Sequence, residues 1–164
     1  MPWPRNSSKR EFYAAVIGDD TKREMLPIVE LDFGHWDESQ PKVANREVKF
    51  GPDTADSPKL RIVQNLSDEL KGRIERSALT AYRALKLQDY ARIDLRVSSM
   101  TNEPYILEVN PNPYLEKKCE VSLAAMAHGT DYESLVARIV DTAVKRHRAR
   151  VPAAPNLALV QSGV

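Results

Sequence analysis

The sequence predicts one α+β domain: a mostly antiparallel β-sheet with helices packed on one face. Three observations carry this. Residues 90–113 hold two runs of strict period-two alternation around a polar turn, the pattern of a β-hairpin. Residues 10–18 and 26–33, REFYAAVIG and LPIVELDF, are further strand-like runs rich in branched and aromatic residues. Residues 67–87 and 130–146 instead repeat their apolar residues at three- and four-residue spacing, as amphipathic helices do.

In chain order, residues 1–9 have two prolines and no periodicity and form a loose lead-in to a domain spanning 10–149. The strand over 10–18 closes in turn material and pairs with 26–33 as a hairpin through the charged link 21–24. Residues 34–66 are polar and carry Pro41, Pro52 and Pro58, with one short extended piece, REVKF, over 46–50. A loop of that length in a compact domain points to function or disorder. Over 67–87, Ser67 caps a helix, Asp68 and Glu69 suit the positive end of its dipole, and Leu70, Ile74, Ala78, Ala81 and Leu85 line the buried stripe.

Residues 121–127 form a short apolar helix stopped at His128-Gly129. Thr130 and Glu133 form a capping box for the last helix, whose buried stripe is Leu135, Val136, Ile139, Val140 and Ala143. The cations Lys145, Arg146, His147 and Arg148 suit the negative end of its dipole. Residues 150–164 make a weakly apolar, disordered tail.

Composition narrows the function classes. Basic and acidic residues balance at 24 to 23, which gives no global pull towards nucleic acid or a membrane surface. No apolar run approaches a membrane span, and the first residues lack the apolar core of a signal peptide. The single Cys119 excludes an internal disulfide framework and suits a reducing cytoplasm. His35, His128 and His147 are scattered without metal-ligand spacing.

The hairpin carries the chemistry. Folded about position 101, it sets Asp94 opposite Glu108 and Arg92 opposite Asn110, and cross-strand partners share a face. Two facing carboxylates need neutralising. A hard cation such as Mg²⁺ does this with carboxylate and amide oxygens, and Asn110 supplies one. Arg92 and Arg96 balancing the acids on a solvated face is the other reading, and spacing leaves both open. Asp94→Asn or Glu108→Gln should cost activity much more than stability, since each removes charge that opposes its neighbour.

ARIDLRV, a polar turn and YILEVNPNP resemble the metal-binding end of the ATP-grasp fold, most closely the D-alanine–D-alanine ligase branch. The resemblance runs from about Glu11 to about Arg146 and covers only the C-terminal half of such a ligase. It implies an enzyme that uses ATP and Mg²⁺ (or Mn²⁺), with Asp94, Glu108 and Asn110 as metal ligands and Arg92 stabilising the transferred phosphoryl group. It further implies that Glu11 holds the ribose hydroxyls, that Leu107 and Glu108 lie at the nucleotide, and that Lys49 of a closing loop meets the γ-phosphate.

Where the branch has a glycine after the second proline and then a serine for substrate, this chain has Tyr114 and, by counting, Cys119. Tyr114 keeps a backbone N–H for the reacting oxygen, but a thiol is a poor substitute for a hydroxyl donor. Dipeptide synthesis from D-alanine is therefore less expected than another carboxylate–amine ligation through an acylphosphate. The partners implied are ATP, a small carboxylate or amine substrate, and the N-terminal lobe in the same or a separate chain. A fragment without that lobe is expected to be inactive alone, and its uncovered apolar surface would favour a homodimer. The alternatives are a non-catalytic nucleotide-binding or regulatory module and, with fewer ligands than that chemistry needs, a metal-dependent phosphohydrolase.

Overall fold

A computed structural model describes residues 7–19, 22–34, 36, 42, 44, 48, 51–52 and 54–150. The tail beyond residue 150 and the loop residue Lys49 lie outside these described residues. Among the described residues, six strands form one antiparallel sheet and three helices pack against it. The class is α+β, as the sequence predicts.

Strand β1 (Ser7–Gly18) is the spine of the sheet. It starts three residues inside the stretch read as a lead-in. Along one edge it pairs first with β3 (Val29–Asp32) and, further on, with β2 (Arg23–Met25); β5 (Asp89–Ser98) lies along the other. The strand expected over 26–33 is shortened to β3, because Pro27 has no N–H for the ladder and residues 26–28 leave the pairing, while β2 falls largely in the stretch read as the charged link. Leu26 keeps one bond, from its N–H to the Ala15 carbonyl at 2.9 Å, and is buried beside Ile28.

Strand β4 (Lys59–Ile62) is an edge strand on β3, inside the stretch read as loop. It exposes Lys59 and Arg61 and packs Leu60 and Ile62 against the core, a four-residue alternation too short to stand out from its polar surroundings. Of the piece read as extended over 46–50, Val48 is described, and it is helical.

Both faces of the sheet are covered. Phe12, Ala14 and Val16 of β1 point to one face with Ala91, Ile93, Leu95 and Val97 of β5, where α1 (Asp68–Ala84) packs Ile74, Ala78 and Tyr82. Tyr13, Ala15 and Ile17 point to the other face, covered by α2 (Glu120–Ala127) and α3 (Tyr132–Arg150) through Val121, Ala124, Ala125, Leu135 and Ile139. The helices therefore divide between two faces rather than sharing one. The physical cause is that β1 is buried throughout 11–17 and β5 throughout 91–98, on both alternating sides of each strand, so neither face can stay wet.

Helix α1 begins as expected, with the Ser67 hydroxyl accepting from the Leu70 N–H at 3.2 Å. Its stripe drifts to Tyr82, whose hydroxyl donates to the Gly18 carbonyl at 2.6 Å, while Leu85 caps the end and is 57% exposed. Helix α3 is capped by Asp131, which accepts from the Ser134 N–H at 2.7 Å, so the Thr130/Glu133 capping box is not the one formed. Glu133 instead takes Lys117 at 3.0 Å. Val140, expected in its stripe, is exposed.

Candidate functional site

Three strands bring the site together in rows. Tyr13 of β1 pairs with Asp94 of β5, which pairs with Glu108 of β6 (Pro104–Asn110). Two pairs further along, and so next on the same face, Ala15, Arg92 and Asn110 line up. The expected opposition of Asp94 with Glu108 and of Arg92 with Asn110 is observed. Beyond Asp94 the register slips, since Leu95 faces Ile106 and Leu107 is left as the extra residue of a bulge. The turn closes with Asn102 at φ 53° and the Ser98 hydroxyl accepting from the Met100 and Thr101 N–H groups at 3.2 and 3.3 Å.

Asp94 is fully buried and does not meet Glu108 as a bare charge. Arg92 Nε donates to Asp94 Oδ1 at 2.7 Å and Arg92 Nη2 to Oδ2 at 2.9 Å, a two-toothed pair two residues apart on one strand. Arg92 Nη1 also donates to Glu120 Oε2 at 3.0 Å, from the first turn of α2. The guanidinium sits over the Tyr13 ring, 5.1 Å from its centroid. Burial works against the Arg92 charge, but Asp94 and then Glu120 outweigh it and hold its pKa above the ordinary value. Burial, and then the neighbouring charges of Glu11, Asp94 and Glu120, keep the Tyr13 phenol protonated well above its usual range. The premise that the charge of Asp94 simply opposes its neighbour does not hold, since Asp94 is paired with Arg92 and its loss carries a stability cost of its own.

Arg92, Glu108, Asn110 and Glu120 line a cleft of about 660 Å³ that opens beside Tyr13 and Tyr114. Val48 borders it too, next in sequence to Lys49. Glu11 lies in mid-strand rather than at a strand's head and is buried. Its carboxylate accepts from the Tyr13 hydroxyl at 3.1 Å and the Ala44 N–H at 3.3 Å, with Arg96 Nε at 3.9 Å. Arg96 donates to the Lys42 carbonyl, and its Nε has no hydrogen-bond partner among the described residues. Leu107 is partly exposed on the edge strand. Cys119 is committed within its own loop, its thiol donating to the Tyr114 carbonyl at 2.9 Å and lying 3.5 Å from Ser122 Oγ.

As a donor set, Asp94, Glu108 and Asn110 offer two carboxylates and an amide oxygen on one face, which suits a hard cation that keeps water or phosphate in its other positions. Among the described residues no group of three or more His, Cys, Asp or Glu is placed to hold a metal ion. Asn110 Oδ1 accepts from the Asn112 N–H at 3.0 Å, which aims the oxygen and leaves its second lone pair available.

Sequence reasoning passed over Glu120, Tyr13 and Tyr90. Tyr90 donates to Asn112 Oδ1 at 2.7 Å and pins the exit through Pro111 and Pro113. Tyr13 was legible as a residue two from Glu11 on the same strand face. Glu120 had no local signal, since only the packing of α2 brings it to Arg92.

Fold and cleft define an antiparallel α+β domain that carries an ionised, oxygen-rich cleft at the open end of a β-hairpin. The family model described as D-ala D-ala ligase C-terminus matches residues 5–141. A D-alanine–D-alanine ligase of Desulforudis audaxviator is 35% identical over 138 residues, which cover 83% of this chain and 40% of that protein. An uncharacterized protein of Sinorhizobium fredii is 31% identical over 138 residues, 84% of this chain and 39% of the other. The crystal structure of D-alanine–D-alanine ligase from Bacillus anthracis complexed with ATP superposes with a TM-score of 0.68 at 22% identity, over 91% of this chain and 43% of that one. This chain belongs to the D-alanine–D-alanine ligase C-terminal family, an ATP-grasp fold. It spans about 40% of the length of the curated relatives it matches. No helix among the described residues is long and apolar enough to cross a membrane.

Proposed function

We propose that this chain is the ATP- and magnesium-binding part of an ATP-dependent carboxylate–amine ligase that works through an acylphosphate. The observation that carries the reading is the cross-strand opposition of Asp94 and Glu108, with Arg92 and Asn110 in the next row, at the cleft. Asp94, Glu108 and Asn110 would hold the metal, which when bound supplies charge neutralisation to the nucleotide phosphates.

In such a reaction a substrate carboxylate oxygen attacks the γ-phosphorus of ATP, the bond to the ADP oxygen breaks, and an acylphosphate forms. An amine then attacks the acyl carbon and phosphate leaves with the bonding pair. The protein has little covalent work in either step. Arg92, held charged and aimed by two carboxylates, stabilises charge developing on the phosphoryl oxygens. Lys49 adds a cation from the loop that Val48 brings to the cleft, and Glu11 is the ribose partner once its contact with Ala44 gives way. The Tyr114 N–H serves the reacting oxygen. With Cys119 turned into its own loop, the acceptor is an amine other than D-alanine. ATP and the small carboxylate or amine substrate are the partners, together with contacts from an N-terminal lobe, in the same or a separate chain.

The two-toothed hold of Arg92 on Asp94 favours one second reading, a nucleotide-binding module without turnover. Two measurements separate them. Calorimetry of a non-hydrolysable ATP analogue should give binding that is weak, about millimolar, dependent on Mg²⁺ and lost in Glu108→Gln. This span alone is expected to release no ADP with D-alanine or other amines; with an N-terminal lobe supplied, amine-dependent ADP release marks the ligase and its absence marks the module. Binding that ignores Mg²⁺ and survives Glu108→Gln would contradict the proposal.

A further inference from the structure

We propose that Glu120 is a positioning residue, a second anionic seat for Arg92 that lets Asp94 release the guanidinium when a divalent cation arrives. This rests on the reading of Asp94 and Glu108 as cation ligands.

Both Asp94 oxygens are taken by Arg92, through Nε at 2.7 Å and Nη2 at 2.9 Å. A cation reaching Asp94 must displace those bonds, because a guanidinium lying along the carboxylate edge occupies the in-plane lone pairs that a cation needs. Arg92 is buried and cannot turn to bulk water when displaced. Without another partner the exchange would strand a buried charge, which folded proteins do not tolerate. Glu120 removes that obstacle. It already accepts from Arg92 Nη1 at 3.0 Å, it comes from α2 rather than from the hairpin, and it is largely buried itself.

The charges point the same way. Arg92 and Asp94 alone sum to zero and offer a cation little. With Glu120 the trio carries one net negative charge, and Glu108 adds a second across the ladder. Glu120 and the Tyr13 ring, 5.1 Å from the guanidinium carbon, also remain as the contacts that keep Arg92 in the cleft after Asp94 lets go. The hold on Arg92 would pass from the strand to the helix without backbone rearrangement.

The test is Mn²⁺ titration of the full chain, followed by electron paramagnetic resonance of the free ion. Glu120→Gln should weaken binding about tenfold or more, because a buried guanidinium released by Asp94 would have no second carboxylate to pass to. Glu133→Gln, which removes a charge on α3 that is paired with Lys117, should leave binding unchanged. In an Arg92→Met background, Asp94 needs no release and the Glu120→Gln effect should largely vanish. An equal loss in both backgrounds would mean simple charge attraction and overturn the exchange.

A second measurement needs no Arg92 variant. The Arg92 Nε–H resonance should shift on Mg²⁺ addition in wild type, as its bond to Asp94 breaks, and stay in place in Glu120→Gln. An unmoved resonance in a wild type that binds Mn²⁺, or unchanged Mn²⁺ affinity in Glu120→Gln, overturns the proposal. Glu108→Gln keeps the two failures apart. If it does not affect Mn²⁺ binding, the cation reading falls and this inference with it; if it does and Glu120→Gln does not, the inference alone falls.

Discussion

Asp94 and Glu108 face each other across one ladder, yet their substitutions should behave differently. Asp94→Asn leaves buried Arg92 bonded to Glu120 but stripped of its two bonds to a carboxylate on its own strand, and breaking a buried pair costs about 3 kcal/mol at the low end. For a domain of this size that lowers Tm by about 6–12 °C. Glu108→Gln changes an exposed side chain and should stay within about 0.5 kcal/mol. Thermal denaturation of the two variants side by side checks this; equal losses would mean that Arg92 is not what holds Asp94. The facing of Asp94 with Glu108 was legible in the sequence because period-two alternation on both sides of a polar turn fixes a register. The ionic partner of Asp94 was not singled out, because Arg92 is equally a reasonable phosphoryl-binding residue and the alternation does not say where its guanidinium turns.

At the scale of elements, the long helices and the two central strands were legible because each is long enough for its period to show. Strand β4, at four residues, is not. The assignment of helices to faces failed for a different reason. Periodicity says that each helix has an apolar face, but only the unbroken burial of residues 11–17 and 91–98 says that the sheet has two.

Two junctions between elements can be tested. Asp131 caps α3 and its carboxyl is held below its usual range, chiefly by the hydrogen bond from the Ser134 N–H. Asp131→Ala should lower Tm measurably while Thr130→Ala leaves it nearly unchanged, and the reverse order would restore the Thr130 cap. Glu24 of β2 joins Arg138 of α3 at 2.6 Å and His128 at 3.2 Å. The Arg138 hydrogen bond, with the charges of Arg138 and His128, lowers its pKa below 4.5 despite some burial. A lowered carboxylate pKa gives stability that is fully present above 4.5 and lost as pH falls through the native value. Glu24→Gln should therefore cost about 0.5 kcal/mol near neutral pH, as a solvent-screened pair does. In Tm against pH, the gap between wild type and variant should close below pH 4.5. A gap that persists in acid would assign the effect to packing.

For the whole molecule, the central claim is that the hairpin end of the sheet, roofed by α2, is a site for magnesium and nucleotide. The sheet order β4-β3-β1-β5-β6 leaves β6 at the edge and the Asn110 exit open, while α1 closes the opposite face. A ligand entering this chain therefore has one charged face to meet. The family was legible from short motifs at fixed spacing, whereas Glu120 depends on where a helix docks and Lys49 lies outside the described residues. The most direct measurement is to follow the backbone amides of the labelled chain while Mg²⁺ and a non-hydrolysable ATP analogue are added together. The account predicts shifts confined to residues 92–95, 107–114 and 119–121 and absent when Mg²⁺ is left out. Shifts centred on α1, or the same shifts without Mg²⁺, would contradict it.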